Sequence, residues 1–147
     1  MSKYRAQRKW YCPECSSETT RKICDVCGGS DCEKFDSKSE LKRYRELLVL
    51  EYAGQISDLK RQVPFPLSAG HNPVLIRSPR YRNGRQVKYV ADFTYTENGE
   101  TIVEDRKGVW TADAKLKVAF FEAQYGTRVR ITGAGAKRVS PDVGAAA

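Results

Sequence analysis

Asp92, Asp105 and Lys107 stand on two alternating segments separated by Asn98-Gly99. Val87, Tyr89, Ala91, Phe93 and Tyr95 interleave with Lys88, Val90, Asp92 and Thr94, and residues 101–107 resume the alternation, which is the period of a strand. Asn-Gly accepts the positive φ values of a two-residue type I′ turn, so the hairpin register follows, with partners whose numbers sum to 197. Asp92 is then expected opposite Asp105. Paired residues share a face with Cβ atoms roughly 4.5–5.5 Å apart, and two like charges so placed repel unless a cation lies between them. A divalent metal would supply that charge. Lys107 pairs with Val90 and is expected on the same face, whereas Glu104 pairs with Phe93 on the other. A one-residue bulge would exchange Glu104 for Asp105, and acids near a hairpin turn are often only solvated surface charges; both readings stay open at this stage.

A second chemistry is written in the cysteines. Cys12, Cys15, Cys24, Cys27 and Cys32 all fall within 21 residues, and the first four form two Cys-x-x-Cys knuckles separated by eight residues. Four soft ligands in a chain without a secretory h-region favour structural zinc over disulfides. The short spacer implies a compact zinc ribbon, with Cys32 left as a spare thiol. Trp10 and Tyr11 beside the first knuckle would cover the module or stack on bases.

The elements that position these groups can be read around them. Residues 35–53 predict a helix, with Asp36 or Ser37 as N-cap and Ser37-x-x-Glu40 as a capping box. Glu40 also heads the stripe of Tyr44, Leu47 and Leu48, so it serves either as a cap residue or as a third acid at the core edge. Residues 59–67 alternate as a strand that Pro64 and Pro66 confine to a sheet edge or leave irregular at its end. Residues 68–84 are expected to form a long loop, with a short strand near 74–76 and with His71 as a surface turn residue. Thr111 would cap a helix to Tyr125 that buries Leu116, Ala119, Phe120 and Ala123, with Gly126 as its stop. Residues 128–132 give a last strand.

Composition bounds the partners. The 147 residues are 40% hydrophobic and 30% charged, enough for one core and a small appendage. No apolar run approaches the ~20 residues of a membrane span, so a cytoplasmic protein is expected. The net charge of +8 favours a polyanion. Arg77, Arg80, Arg82, Arg85 and Lys88 follow one another without an intervening acid and lead into the strand of Asp92. These readings give an α/β chain in three parts: a basic arm and zinc ribbon over 1–34, a core over 35–132, and a disordered tail over 133–147.

The order helix, strand, two-stranded hairpin, helix, strand, with Asp92 on one hairpin strand and Asp105-x-Lys107 on the other, resembles the PD-(D/E)XK nuclease superfamily. Ser39-Glu40-Leu41, Gln62 before Val63-Pro64-Phe65, and Thr111 and Lys115 after Lys107-Gly108 strengthen the likeness, which is closest to small phage endonucleases related to archaeal-type Holliday junction resolvases and phage endonuclease I. Ala91 stands where that motif has its proline, and the zinc module is outside the shared core. The resemblance implies a restriction-endonuclease-like core of order αβββαβ that cleaves phosphodiesters with Mg²⁺, or Mn²⁺ as a substitute, in the cytoplasm of a bacterial host if phage-encoded. Glu40, Asp92 and Asp105 would be the metal ligands, Lys107 and Gln62 would complete the catalytic set, and Arg77, Arg80, Arg82, Arg85 and Lys115 would grip DNA phosphates. The implied substrate is branched DNA and the implied form a homodimer. A sequence-specific nuclease on linear DNA and a non-catalytic zinc-ribbon nucleic-acid binder are the alternatives.

Overall fold

The computed structural model describes residues 9–133, so the arm and tail expectations fall outside it except at Lys9 and Gly133. The chain is a mixed α/β protein of eleven strands and two helices among the described residues. It divides after Tyr52 into two compact units. The boundary thus follows the first helix, whereas the sequence placed it near residue 34, because the apolar stripe of that helix has partners in the N-terminal unit.

In the first unit, β1 (Lys9–Tyr11) is flanked by β2 (Glu18–Thr19) and β3 (Glu33–Phe35) in an antiparallel sheet. Helix α1 (Lys38–Tyr52) starts later than expected because Phe35 is spent on β3. Ser37 is its cap: the Ser37 Oγ accepts from the Glu40 backbone N–H at 3.1 Å. Leu41, Tyr44 and Leu48 pack on Tyr11 and Phe35, with Tyr11 edge-on to both Phe35 and Tyr44.

In the second unit, β4 (Ile56–Pro66), β9 (Lys88–Glu97), β10 (Glu100–Arg106) and β11 (Val129–Thr132) form one sheet in the order β11-β10-β9-β4. β4 is an edge strand, as its prolines require. β11 runs parallel to β10 and is reached through α2 (Ala112–Tyr125), since a parallel neighbour needs a crossover. Thr111 caps α2 by accepting from Ala114 N–H at 3.1 Å, and Gly126 stops it at φ 65°.

Two expectations fail here. Residues 68–84 are not a long loop: the short strand expected near 74–76 is β7 (Leu75–Ser78), which pairs with β8 (Tyr81–Gln86) around a Pro79-Arg80 turn, and β5 (Ser68–Ala69) pairs with β6 (Asn72–Pro73). Charged residues on both faces of β8 hid its alternation. The buried face of α2 is also rotated, with Val118 and Phe121 inside and Leu116 exposed. The helix offers two apolar stripes, and aromatic packing decides between them: Phe121 lies 4.8 Å from Phe65, 4.9 Å from Tyr89 and 5.0 Å from Tyr125, ring centre to ring centre. No helix among the described residues is long and apolar enough to cross a membrane.

Candidate functional site

The hairpin that carries the acids closes as expected. Asn98 and Gly99 take φ values of 52° and 78°, and the pairs from Glu100↔Glu97 to Glu104↔Phe93 all sum to 197 without a bulge. Regular pairing ends there, one step short of Asp92 and Asp105. Beyond it the Asp92 carboxylate itself bridges the strands, its Oδ2 accepting from the Arg106 backbone N–H at 2.8 Å.

Gln62, opposite Asp92 on β4, donates from Nε2 to Asp92 Oδ1 at 3.3 Å. Its φ of 49° is the left-handed region, which costs a non-glycine residue roughly 1–2 kcal/mol and persists where surroundings impose it, often at functional sites. Gln62→Gly is therefore expected to leave urea-unfolding stability within about 1 kcal/mol, because relieved strain offsets glycine's extra freedom in the unfolded chain. A loss well beyond that would show that the Gln62 side chain, through its hydrogen bond to Asp92, holds this end of the strand.

Asp105 is fully buried. Its Oδ2 accepts from the Tyr89 hydroxyl at 3.0 Å and pairs with Lys107 Nζ at 3.0 Å, whereas its Oδ1 is buried with no hydrogen-bond partner. Such an oxygen costs about 1–3 kcal/mol or more when charged, so it marks a place where a further cation fits. Burial above all, then the charges of Asp105 and of Asp92, raises the Tyr89 hydroxyl far above its ordinary pKa. Tyr89 is thus a fixed donor, and both aspartates act on it. Tyr89→Phe is expected to cost about 1–3 kcal/mol of stability by leaving a second buried oxygen poorly satisfied, measurable by urea unfolding; an unchanged midpoint would show that Lys107 alone suffices.

Glu104, equally buried, is occupied on its other oxygens: Oε1 accepts from the Tyr95 hydroxyl at 2.7 Å and Oε2 from Thr132 Oγ1 at 3.5 Å, while Arg130 donates to the Tyr95 hydroxyl at 3.0 Å. Of the two neighbouring acids, Asp105 is the one that keeps a bare oxygen.

Beside Lys107 lies a cleft of about 190 Å³, also lined by Lys88, Tyr89, Asp113 and Lys117. From sequence Lys88 is only the end of the basic run and Lys117 faces either solvent or the site, with solvent the default; the cleft brings both beside Lys107. Lys115 is exposed and does not line this cleft, and Arg77, Arg80, Arg82 and Arg85 are all exposed on the β7–β8 ribbon. Glu40 lies on α1 in the first unit and is buried at 6% exposure, heading the stripe as expected.

The cysteines form the other cluster. Ligand atoms of Cys12, Cys15, Cys24 and Cys27 all lie within 4.8 Å of one another, with Cys12 to Cys27 at 3.6 Å and Cys15 to Cys24 at 3.5 Å. Backbone N–H groups of Val26 and Cys27 point at the Cys24 sulfur, and that of Gly29 at Cys27. Ser17 hydrogen bonds draw the Cys15 thiol down to about 6, and the N–H groups of Cys27 and Val26 lower Cys24. Cys27, although Gly29 draws it down, is pushed up to about 12 by the Cys12 and Cys15 sulfurs. Four sulfurs this close cannot all ionise without a cation among them, and as a soft donor set they could hold a structural metal such as zinc. Cys32 is buried against Cys12 and Cys24 but is not one of the four.

No curated protein and no solved structure matches the chain. One family does, over residues 23–136, from just before the second knuckle to beyond β11, and it is described only as "Protein of unknown function (DUF1064)"; the chain belongs to that family.

Proposed function

We propose that the chain is a Mg²⁺-dependent endonuclease that hydrolyses phosphodiester bonds of DNA, selective for branched structures. The observation that carries this reading is the buried Asp105 carboxylate, with one oxygen bare and the other on Lys107, across the strand end from Asp92. Asp92 and Asp105 would hold the ion. Mg²⁺, when bound, supplies Lewis acidity, neutralising charge that builds on the scissile phosphate and lowering the pKa of the attacking water. Tyr89 fixes the Asp105 carboxylate by its hydrogen bond and Gln62 fixes that of Asp92. Lys107, 26% exposed, has one end of its reach on Asp105 and is free to orient the water or stabilise negative charge on the phosphate. Lys88 and Lys117, across the same cleft, suit the flanking phosphate. The cysteine module would bind zinc as a compact ribbon.

A single small sheet has few elements left to read base edges, so shape is the more accessible discriminator, and a homodimer would present two sites to the two strands of a junction. The test is the purified protein with Mg²⁺ on four-way, flap, single-stranded and linear duplex DNA of one sequence, with its mass in solution measured alongside. Paired symmetric incisions in the branched substrates by a dimer are expected. Cutting at one sequence motif whatever the branch position would make it a sequence-specific nuclease, and binding without cleavage a docking protein.

A further inference from the structure

The β7–β8 ribbon has no place in the chemistry just described, yet it carries the densest positive charge among the described residues of its unit. Arg77, Arg80, Arg82 and Arg85 are exposed, and no acid occurs in sequence between His71 and Ala91. None of the four has a carboxylate partner among the described residues. Tyr81 is held between two of them, with the Arg80 and Arg85 guanidinium carbons 5.7 and 5.6 Å from its ring centre. Leu75 and Ile76 are 47% and 56% exposed. A two-stranded hairpin is marginal by itself, and one with both faces in solvent wastes its apolar side chains unless another surface covers them.

The ribbon is nevertheless built to keep one shape. Its base is tied by Leu67 N–H to Val87 O at 2.9 Å, Val74 N–H to Leu67 O at 3.0 Å and Val87 N–H to Val74 O at 2.8 Å. Within it, Gly84 sits at φ 88° with Leu75 so close that an added Cβ would lie 2.8 Å from the Leu75 Cβ. Only glycine meets both demands, and the result is a close-packed, twisted pair of strands.

We infer that this ribbon enters the major groove of a B-form DNA duplex and holds the substrate's arm, an inference that rests on the reading of DNA as the substrate. Charge complementarity selects a polyanion. Geometry selects the duplex: strands ~4.8 Å apart with their side chains fill a groove about 12 Å wide, whereas the A-form major groove of RNA is too narrow to admit them. Arg77, Arg80 and Arg82 meet phosphates or guanine edges, and of Leu75 and Ile76, which point to opposite faces, the one on the entering face meets the apolar parts of the bases. Six residue steps lead from Gln86 to Asp92, roughly 20 Å of extended chain, so the groove contact begins about six base pairs from the phosphate beside Asp92.

The test measures binding without catalysis. Full-length protein with Arg80→Gln and Arg82→Gln is compared with a control of equal charge change, Lys38→Gln with Lys42→Gln on the exposed side of α1, in buffer free of Mg²⁺ and of chelators. Fluorescence anisotropy is read on duplex DNA, single-stranded DNA and duplex RNA across a salt series, with dimethyl sulfate probing of guanine N7 on the DNA duplex. The ribbon variant should lose tenfold or more on duplex DNA, flatten the salt slope by about 0.9 per phosphate contact removed, and lose N7 protection; the control and the other nucleic acids should change much less. Equal losses on single strands or RNA, equal losses in the control, or unchanged N7 protection would overturn the inference. Because no step requires cleavage, a protein that binds duplex through the ribbon but never cuts it would sink the nuclease reading and leave this one standing.

Discussion

Asp105→Asn is expected to lower Mg²⁺-dependent cleavage by a factor on the order of 10³ while duplex binding, measured without Mg²⁺, stays the same or tightens. The side chain keeps its shape, and one of its oxygen or nitrogen atoms can still meet Tyr89, so the fold is not at stake. What disappears is a negative charge that attracts the metal and repels phosphate, and an interaction absent from the ground state shows up in the rate rather than in affinity. Asp92→Asn should behave alike. Glu104→Gln is the informative neighbour: it alters a carboxylate already committed to Tyr95 and Thr132, so it should cost about 1–3 kcal/mol of stability and only a modest part of the rate. A dead Glu104→Gln beside an active Asp105→Asn would move the metal ligand one residue back along β10.

Cys24→Ser should remove the bound metal and unfold the first unit. Elemental analysis of wild-type protein is expected to give one zinc per chain, and the variant close to none; Cys32→Ser should keep the full content. The effect is large because small zinc modules derive most of their folding free energy from the metal, an apparent 10–16 kcal/mol in isolated fingers near neutral pH. Here the apolar alternative is thin: Tyr11, Phe35 and Leu41 form a small buried cluster among the described residues, with Leu47 also buried further along α1. Trp10 packs on the cysteine cluster, so its emission should shift to the red as the metal leaves. Zinc content unchanged in Cys24→Ser, or absent from wild-type protein grown with zinc, would end the assignment.

What could be read in advance was what local chemistry dictates. Asn98-Gly99 set the hairpin register because few dipeptides tolerate two positive φ values, and five observed pairs follow that arithmetic. Thr111, Ser37 and Gly126 marked helix ends because unpaired backbone groups need partners there. The cysteine knuckles were legible because two thiols three apart in sequence reach one centre. Longer-range choices were not. The face of α2 depended on Phe65 and Tyr89, two strands it had yet to meet. Tyr89 reads only as one of the alternating strand residues, and that its hydroxyl ends on Asp105 is a fact of packing rather than of period. Of the β7–β8 ribbon only the short strand near 74–76 is legible, because arginines on both faces of β8 leave no apolar alternation.

The parallel pairing of β11 with β10 sets an order of assembly. β9 and β10 are joined by two residues and can close in microseconds, while β11 reaches β10 only after α2 has been made and folded back. As the chain leaves the ribosome, β10 therefore waits as a naked edge, the kind of surface through which nascent strands stick to one another. Its middle is Glu104-Asp105. Two adjacent carboxylates on an unfinished edge repel a second strand as lysines do on finished ones, so the acids that end up buried in the mature sheet would also guard the immature one.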